Sequence, residues 1–394
     1  MKKKMIKILA VILLLIGTNF LTYNAAIYGY GNASSTKYAR IKFLEDYVKK
    51  NFLYPVTDED FEIGELKGVI AGLNDPYSEY MTKEEYDKLM ETTSGKFYGI
   101  GVVITKGEDN LITVISPIKG SPADKAGVKA QDKIIKVEGV EYTAEKMNDA
   151  IAVMKGKKGT KVNITVYTPS TSETRDLSME RDEVKMETII SKKINNIGYI
   201  AITQFDETTY PDFKEALNKL EREDVKGLVI DLRGNPGGVV DAAANIADEL
   251  LPEGMIVYAK DKNEKTVFEF KSDSNQTELP ITVLINKGSA SASEILAGAL
   301  HDHKRATIIG TTSFGKGIVQ SAARFPKGDG IKLTTSQYFT PNGVCIHKIG
   351  IKPDIEIEIE KDAKGIGVEY LDTDTQLKKA IEVLNESINK ESQH

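Results

Sequence analysis

Three serines spaced two residues apart, Ser289, Ser291 and Ser293, lie between two apolar runs of different period. Ile281 to Ile285 is β-branched and of strand length, whereas Glu294 to Leu300 places its apolar residues on one helical face. The serines therefore occupy a strand-to-helix turn. The first N–H groups of a helix lack intrahelical acceptors and carry the positive end of its dipole, so they can hold a developing oxyanion. Ser291, followed by the N–H of Ala292, is a candidate nucleophile with half an oxyanion hole. The same four residues, Ser291 to Glu294, also have the S-x-x-E form of a capping box, in which the hydroxyl only satisfies a helix donor. This stretch alone leaves both uses open.

A serine hydroxyl needs a base. The chain has four histidines, His301, His303, His347 and His394. The first two lie about three helical turns beyond Ser291, too far at a rise of ~1.5 Å per residue. Lys316 fits better, because a lysine in an apolar pocket can act as a base once desolvation lowers its pKa. Its neighbours Gly315, Gly317, Ile318 and Val319 carry no charge. A competing motif uses the same lysine: Gly310 to Lys316 matches the phosphate-cradling G-x-x-x-x-G-K. Gly317 then stands where that motif needs Ser or Thr, and Ile318 to Ser321 reads as a strand.

Together, the run Ser289 to Glu294 and the run Phe314 to Gln320 resemble the carboxy-terminal processing proteases, serine peptidases with a Ser-Lys dyad and a PDZ domain. The resemblance implies Ser291 as nucleophile, Lys316 as general base, Gln320 orienting the lysine, and Ser289 and Ser293 as structural. Asp231-Leu232-Arg233-Gly234-Asn235-Pro236-Gly237-Gly238 resembles the family's glycine loop. It implies that Gly237, or less readily Gly238, supplies the second oxyanion N–H beside Ala292. Asp231 and Arg233 could act as an acid or a substrate clamp, or as a salt bridge bracing the loop. The implied fold is α/β plus β: a ClpP/crotonase-like α/β protease core with an inserted PDZ domain and helical N- and C-terminal segments.

The elements that must position these residues follow from the rest of the chain. It has 394 residues, 41% hydrophobic and 28% charged, enough for two or three domains. A net charge of −6 spread along the sequence argues against nucleic acid as main partner. Cys345 is the sole cysteine, which excludes an internal disulfide, and it reads as a small buried hydrophobe. No metal-ligand spacing is found, no cofactor is expected, and no internal repeat is detected. Residues 1–34 read as a signal peptide or membrane anchor. Lysines precede Ile8 to Ile16, a continuously apolar run, and no charge follows until Lys37. The uncharged stretch suffices to span a bilayer, which favours an uncleaved anchor with the rest outside the cytoplasm. If the leader is cleaved, the protein is secreted.

Residues 35–95 read as helices, with short helices at 66–73 and after the capping box Thr82 to Glu85. Residues 96–180 change to short β runs. Tyr98, Gly99, Ile100, Gly101 and Val102 resemble the carboxylate-binding loop and first strand of a PDZ domain. There backbone N–H groups take a peptide's terminal carboxylate and the bound chain adds a strand. Tyr98, Ile100 and Val102 would bias this site towards apolar termini. The family has arginine where this chain has Lys155, which keeps the charge without the two-pronged geometry of a substrate sensor. Residues 181–361 alternate strands with helices and form the core. Residues 362–394 close with a helix for the core or a second subunit, and family likeness suggests a homodimer through terminal helices.

These readings combine into an extracytoplasmic serine endopeptidase that binds the C-terminal end of exported proteins and cleaves nearby. Two alternatives remain at this stage. One is a non-catalytic PDZ scaffold or chaperone of the cell envelope, and the other an acyl-transfer enzyme acting on small esters.

Overall fold

The computed structural model describes Thr18, residues 37–361 and residues 363–391. The chain forms two compact units, residues 1–80 and 81–394. The expected leader lies, but for Thr18, outside the described residues. Among the described residues no helix is long and apolar enough to cross a membrane.

The first unit contains helices Lys37–Asn51 and Asp58–Ala71. The second is longer than the helix expected at 66–73, because Thr57 caps it more than two turns earlier. Thr57 Oγ1 accepts the Asp60 N–H at 3.1 Å, and Asp60 accepts the Thr57 N–H at 2.8 Å. The box closes with Asp in place of the usual Glu or Gln, so its pattern was missed. Both helices leave large apolar side chains exposed, among them Phe43, Leu44 and Tyr47, with Leu53 just beyond.

The second unit opens with the helix Lys83–Ser94, closed by the expected Thr82/Glu85 box. It stops at Gly95, whose φ of +70° and position against Asp206, 2.4 Å from where a Cβ would stand, admit only glycine. Lys96–Gly99 then pairs antiparallel with Asp182–Lys185 as a separate two-stranded ribbon. The PDZ sheet itself starts at Val102, later than the expected Tyr98. Its main strands run in the order Val102–Lys106, Ile112–Pro117, Lys133–Val137, Lys161–Thr168 and Glu173–Glu180, which leaves Val102–Lys106 at an edge. Alternate residues such as Ile112, Val114, Val162, Ile164 and Val166 fill its core with Ala150 and Met154 of the helix Met147–Met154.

The remaining core is a six-stranded sheet in the order Ile189–Ile194, Ile197–Ile202, Gly227–Asp231, Ile281–Ile285, Ala306–Gly310 and Ile355–Glu356. All neighbours but the first pair run parallel. Parallel strands need crossovers that cover both faces, so Gly227–Asp231 and Ile281–Ile285 are buried at every residue. Helices Thr209–Arg222, Val240–Asp248 and Ala292–Asp302 contribute to the core of one face. The helix Thr375–Glu391 covers the other, with Leu377, Ala380 and Leu384 packed on Tyr199, Val229, Leu284 and Ile309. The closing helix is thus a layer of the core. A second sheet, including Gly254–Asp261, Thr266–Ser272, Ile318–Arg324 and Gly330–Phe339, carries the segment after Lys316.

Leu377 is fully buried between the closing helix and the sheet. Leu377→Ala should cost about 2–5 kcal/mol, the range for a deleted core leucine, read from denaturant unfolding of the full chain.

Candidate active site

Strands Gly227–Asp231 and Ile281–Ile285 are parallel neighbours, with Asp231 opposite Leu284. The glycine loop and the serine turn therefore leave the same end of the sheet side by side, where α/β chemistry is expected. Ser291 has φ +54° and ψ −114°. A non-glycine residue in that region carries about 1–3 kcal/mol of strain and persists only where its surroundings enforce it. Here the Ala290 N–H is held by the Asn235 carbonyl at 3.0 Å and the Ser291 N–H by Glu294 Oε2 at 2.8 Å. The Ser291 carbonyl accepts the N–H groups of Glu294 and Ile295 at 2.8 and 2.9 Å and the Tyr338 hydroxyl at 3.2 Å. Burial, with the Glu294 charge second, pushes the Tyr338 phenol well above its ordinary pKa, so it stays a donor. The result is a strained elbow that presents a serine at a helix start.

The flanking serines are anchors. Ser289 Oγ donates to the Leu232 carbonyl at 2.8 Å and Ser293 Oγ to the Asn235 carbonyl at 3.0 Å, both fully buried. Together they stitch the glycine loop to the elbow. The Ser291/Glu294 capping box is formed, and the Glu294 N–H also has the Ser291 carbonyl as an acceptor at 2.8 Å.

Glu294 does far more than the capping box suggested. With no exposed surface, its Oε1 accepts Ser313 Oγ at 2.5 Å and the Gly315 N–H at 2.6 Å, and its Oε2 accepts the N–H groups of Ser291 and Lys316, both at 2.8 Å. One oxygen thus receives both main-chain amides, and the two nitrogens lie no further apart than twice that distance. Lys316 was expected among uncharged neighbours; tertiary structure brings this buried carboxylate to its backbone. The same bonds remove the phosphate-loop alternative, because the Gly315 and Lys316 amides a phosphate would need are taken. The next element is the strand Ile318–Arg324 rather than a helix. Gln320 on that strand donates from Nε2 to Thr334 Oγ1 at 3.2 Å.

Gly237 lies directly against the elbow: a Cβ there would stand 2.8 Å from Ser291 Cβ and 2.9 Å from Ala292 N. Its N–H, however, donates to Asn235 Oδ1 at 2.8 Å. Gly238 is exposed, and among the described residues its N–H and that of Ala292 have no hydrogen-bond partner. The free amide on the loop is therefore that of Gly238, the second of the two glycines that the family likeness allows. Asn235, which turns the Gly237 amide inward and donates to the Ile202 carbonyl at 2.8 Å, was missed. Asp231 and Arg233 form the bracing ion pair, bidentate at 2.9 and 2.6 Å. Asp374 and Gln376, which complete that cluster, were also missed because they lie some 140 residues away in sequence.

In the PDZ domain Gly101, at φ +73°, turns the chain into the edge strand, and its carbonyl accepts Ser121 Oγ at 2.8 Å. Tyr98 is exposed and Val102 half-buried. Ile100 is 2% exposed and belongs to the domain core, so its side chain is a wall of the fold before it is a contact for a ligand. Gly99 is buried in the ribbon. Lys155 pairs with Glu91 and lies 5.1 Å from the centroid of Phe97.

A strained serine at a helix start beneath a glycine loop, on an α/β sheet joined to a PDZ domain, defines the class as PDZ-bearing serine hydrolases. Residues 196–357 match the model of peptidase family S41 and residues 113–168 that of a PDZ domain. The chain is 40% identical over 366 residues to carboxy-terminal processing protease CtpA of Bacillus subtilis (strain 168), covering 92% of this chain and 77% of that protein. It is 39% identical over 326 residues to a carboxy-terminal-processing protease of Bartonella bacilliformis, covering 81% and 75%. The photosystem II D1 C-terminal processing protease superimposes with a TM-score of 0.51 at 29% identity, over 86% of this chain and 90% of that one. The chain belongs to the carboxy-terminal processing proteases of family S41. It is a serine-type peptidase acting on the C-terminal ends of protein substrates.

Glu294→Gln keeps the shape but turns an NH₂ towards at least one N–H donor. Losing a hydrogen bond to a charged group is worth about 1.5–3 kcal/mol, so kcat/KM should fall roughly tenfold to a hundredfold. Steady-state kinetics on a peptide substrate reads it. A second expectation concerns acid. Burial works to raise the Asp374 carboxyl, but the Arg233 guanidinium outweighs it and holds the group below its ordinary 3.8. The stability so contributed is complete above the unfolded value and is lost as pH falls through the folded one. Unfolding of the wild type against pH should therefore show a loss below about pH 4 that Asp374→Asn lacks.

Proposed function

We propose that Ser291 and Lys316 are the nucleophile and general base of this peptidase. The observation that carries the reading is the shared oxygen Glu294 Oε2, which holds the backbone of both residues at one point. Ser291 Oγ attacks the scissile carbonyl while its proton passes to the Lys316 amine, and the oxyanion is held by the amides of Ala292 and Gly238. Lys316 then returns the proton to the leaving amine, and water hydrolyses the acyl-enzyme. Gln320, on the strand that follows the lysine and bonded to Thr334 of the neighbouring strand, supports the lysine stem.

The captured chain end adds a strand to the free edge Val102–Lys106, with its carboxylate at the turn of Gly99, Ile100 and Gly101 and an apolar last residue beside Tyr98 and Val102. The parallel order of the core sheet and its two covered faces support a ClpP/crotonase-like core. The exposed apolar side chains of helices Lys37–Asn51 and Asp58–Ala71 support a homodimer in which a second copy covers them. The basic and apolar residues of 1–34 support a membrane anchor, with the enzyme on the extracytoplasmic face and exported proteins as substrates.

Mass spectrometry of candidate exported proteins incubated with the wild type should show fragments cut near the C-terminus. Ser291→Ala and Lys316→Ala should each abolish them while C-terminal peptides still bind. Cleavage undiminished in either variant would overturn the dyad. Deleting residues 97–168 should change the rate on full-length substrates, and an unchanged rate would remove the PDZ domain from substrate selection.

A further inference from the structure

The guanidinium of Arg233 has no exposed surface, so each of its five N–H donors must find an acceptor inside the protein. They have five contacts. Nε and Nη2 reach Asp231 at 2.9 and 2.6 Å, Nη2 and Nη1 reach Asp374 at 2.7 and 2.9 Å, and Nη1 reaches Gln376 Oε1 at 3.0 Å. Arg233 lies in the loop that ends in Gly237 and Gly238. Asp374 and Gln376 belong to the start of the closing helix.

Asp374 is itself locked. Oδ1 accepts the Leu377 N–H at 3.0 Å as the helix cap, and Oδ2 accepts the Gly367 N–H at 2.7 Å. Gln376 Nε2 donates to the Ile357 carbonyl at 2.6 Å. Tyr199 donates to Asp231 at 2.9 Å from beneath. The glycine loop is therefore gripped from two sides. Ser289, Ser293 and Asn286 hold it to the elbow, and the closing helix holds its Arg233.

We infer that Asp374, assisted by Gln376, is a positioning residue for the peptidase: acting through Arg233, it sets the height of the Gly237-Gly238 backbone over Ser291. The start of the closing helix thereby belongs to the catalytic apparatus. The inference rests on Ser291 being the nucleophile. Misplacing a transition-state donor by a fraction of an ångström lowers the chemical step and leaves ground-state binding alone.

The test uses the full-length protein and the variants Asp374→Asn and Gln376→Met, well below each variant's melting temperature. Four quantities are read: the rate at which a fluorophosphonate labels Ser291, kcat and KM on a peptide substrate, and the affinity of a C-terminal peptide for the PDZ domain. Asp374→Asn should lower labelling and kcat by about tenfold or more, and Gln376→Met by a few-fold, with KM and peptide affinity within about twofold. Should Asp374→Asn fail to fold, Gln376→Met decides. Labelling and kcat at wild-type rates would overturn the inference, as would a fall in labelling matched by an equal fall in peptide affinity. A wild type that the reagent never labels at Ser291 would instead defeat the nucleophile assignment.

Discussion

A carboxylate with no exposed surface must take its hydrogen bonds from the protein, and Glu294 takes four from three separate points of the chain. It joins the elbow at Ser291, the hydroxyl of Ser313 and the turn at Gly315 and Lys316. Those segments follow different strands, Ile281–Ile285 and Ala306–Gly310, which are parallel neighbours in the sheet. The sheet brings the two loops to one edge, and Glu294 sets how they meet. Ser313 extends the grip, since its hydroxyl accepts the Ile351 N–H at 2.6 Å while donating to the carboxylate. Strain at Ser291 is tolerable because this net leaves the residue no relaxed alternative that keeps every donor satisfied.

Local sequence disclosed most of what depends on local rules, the Thr57/Asp60 box excepted. The strand-to-helix turn, the Thr82/Glu85 box, the alternation of strands and helices in the core and the short strands after residue 96 follow from period and caps, and the structure has them. Ser289 and Ser293 were legible as structural beside Ser291 only through family likeness. Their physical role needs the glycine loop, some 55 residues earlier, to be laid alongside. The same limit hid Asn235, Asp374 and Gln376, whose partners are fixed by the fold. Glu294 was read as half of a cap because that half is local; its other three donors are not. Sequence leaves Gly237 and Gly238 unresolved for a finer reason. Two adjacent glycines differ only in which amide the Asn235 side chain turns inward.

The glycines of the loop are required by contact as well as by dihedral angle. At Gly238, with φ +140°, a Cβ would stand 1.9 Å from the carbonyl oxygen of Phe205, and at Gly237 one would stand 2.6 Å from that of Ala290. The loop is thus pressed between residue 205 on one side and the elbow on the other. Phe205 itself is bonded into the loop, donating its N–H to the Gly237 carbonyl and accepting the Val239 N–H, each at 2.9 Å. Backbone that approaches backbone this closely is held to sub-ångström tolerance by packing, which is what two amides converging on a single oxygen require.

Two buried charge systems therefore flank the reactive serine, and they solve the cost of burial differently. Glu294 is balanced by dipoles: three backbone N–H groups and a hydroxyl. Arg233 is balanced by two carboxylates, which hold its pKa well above the ordinary value although burial alone would depress it. Dipoles fixed by backbone stay put only while the loops that carry them do, so the first system is sensitive to loop geometry. An ion cluster with every donor used resists displacement, because any shift breaks several strong bonds at once. Placing the rigid cluster at the root of the glycine loop and the dipole net at the elbow lets the first hold still what the second has to aim.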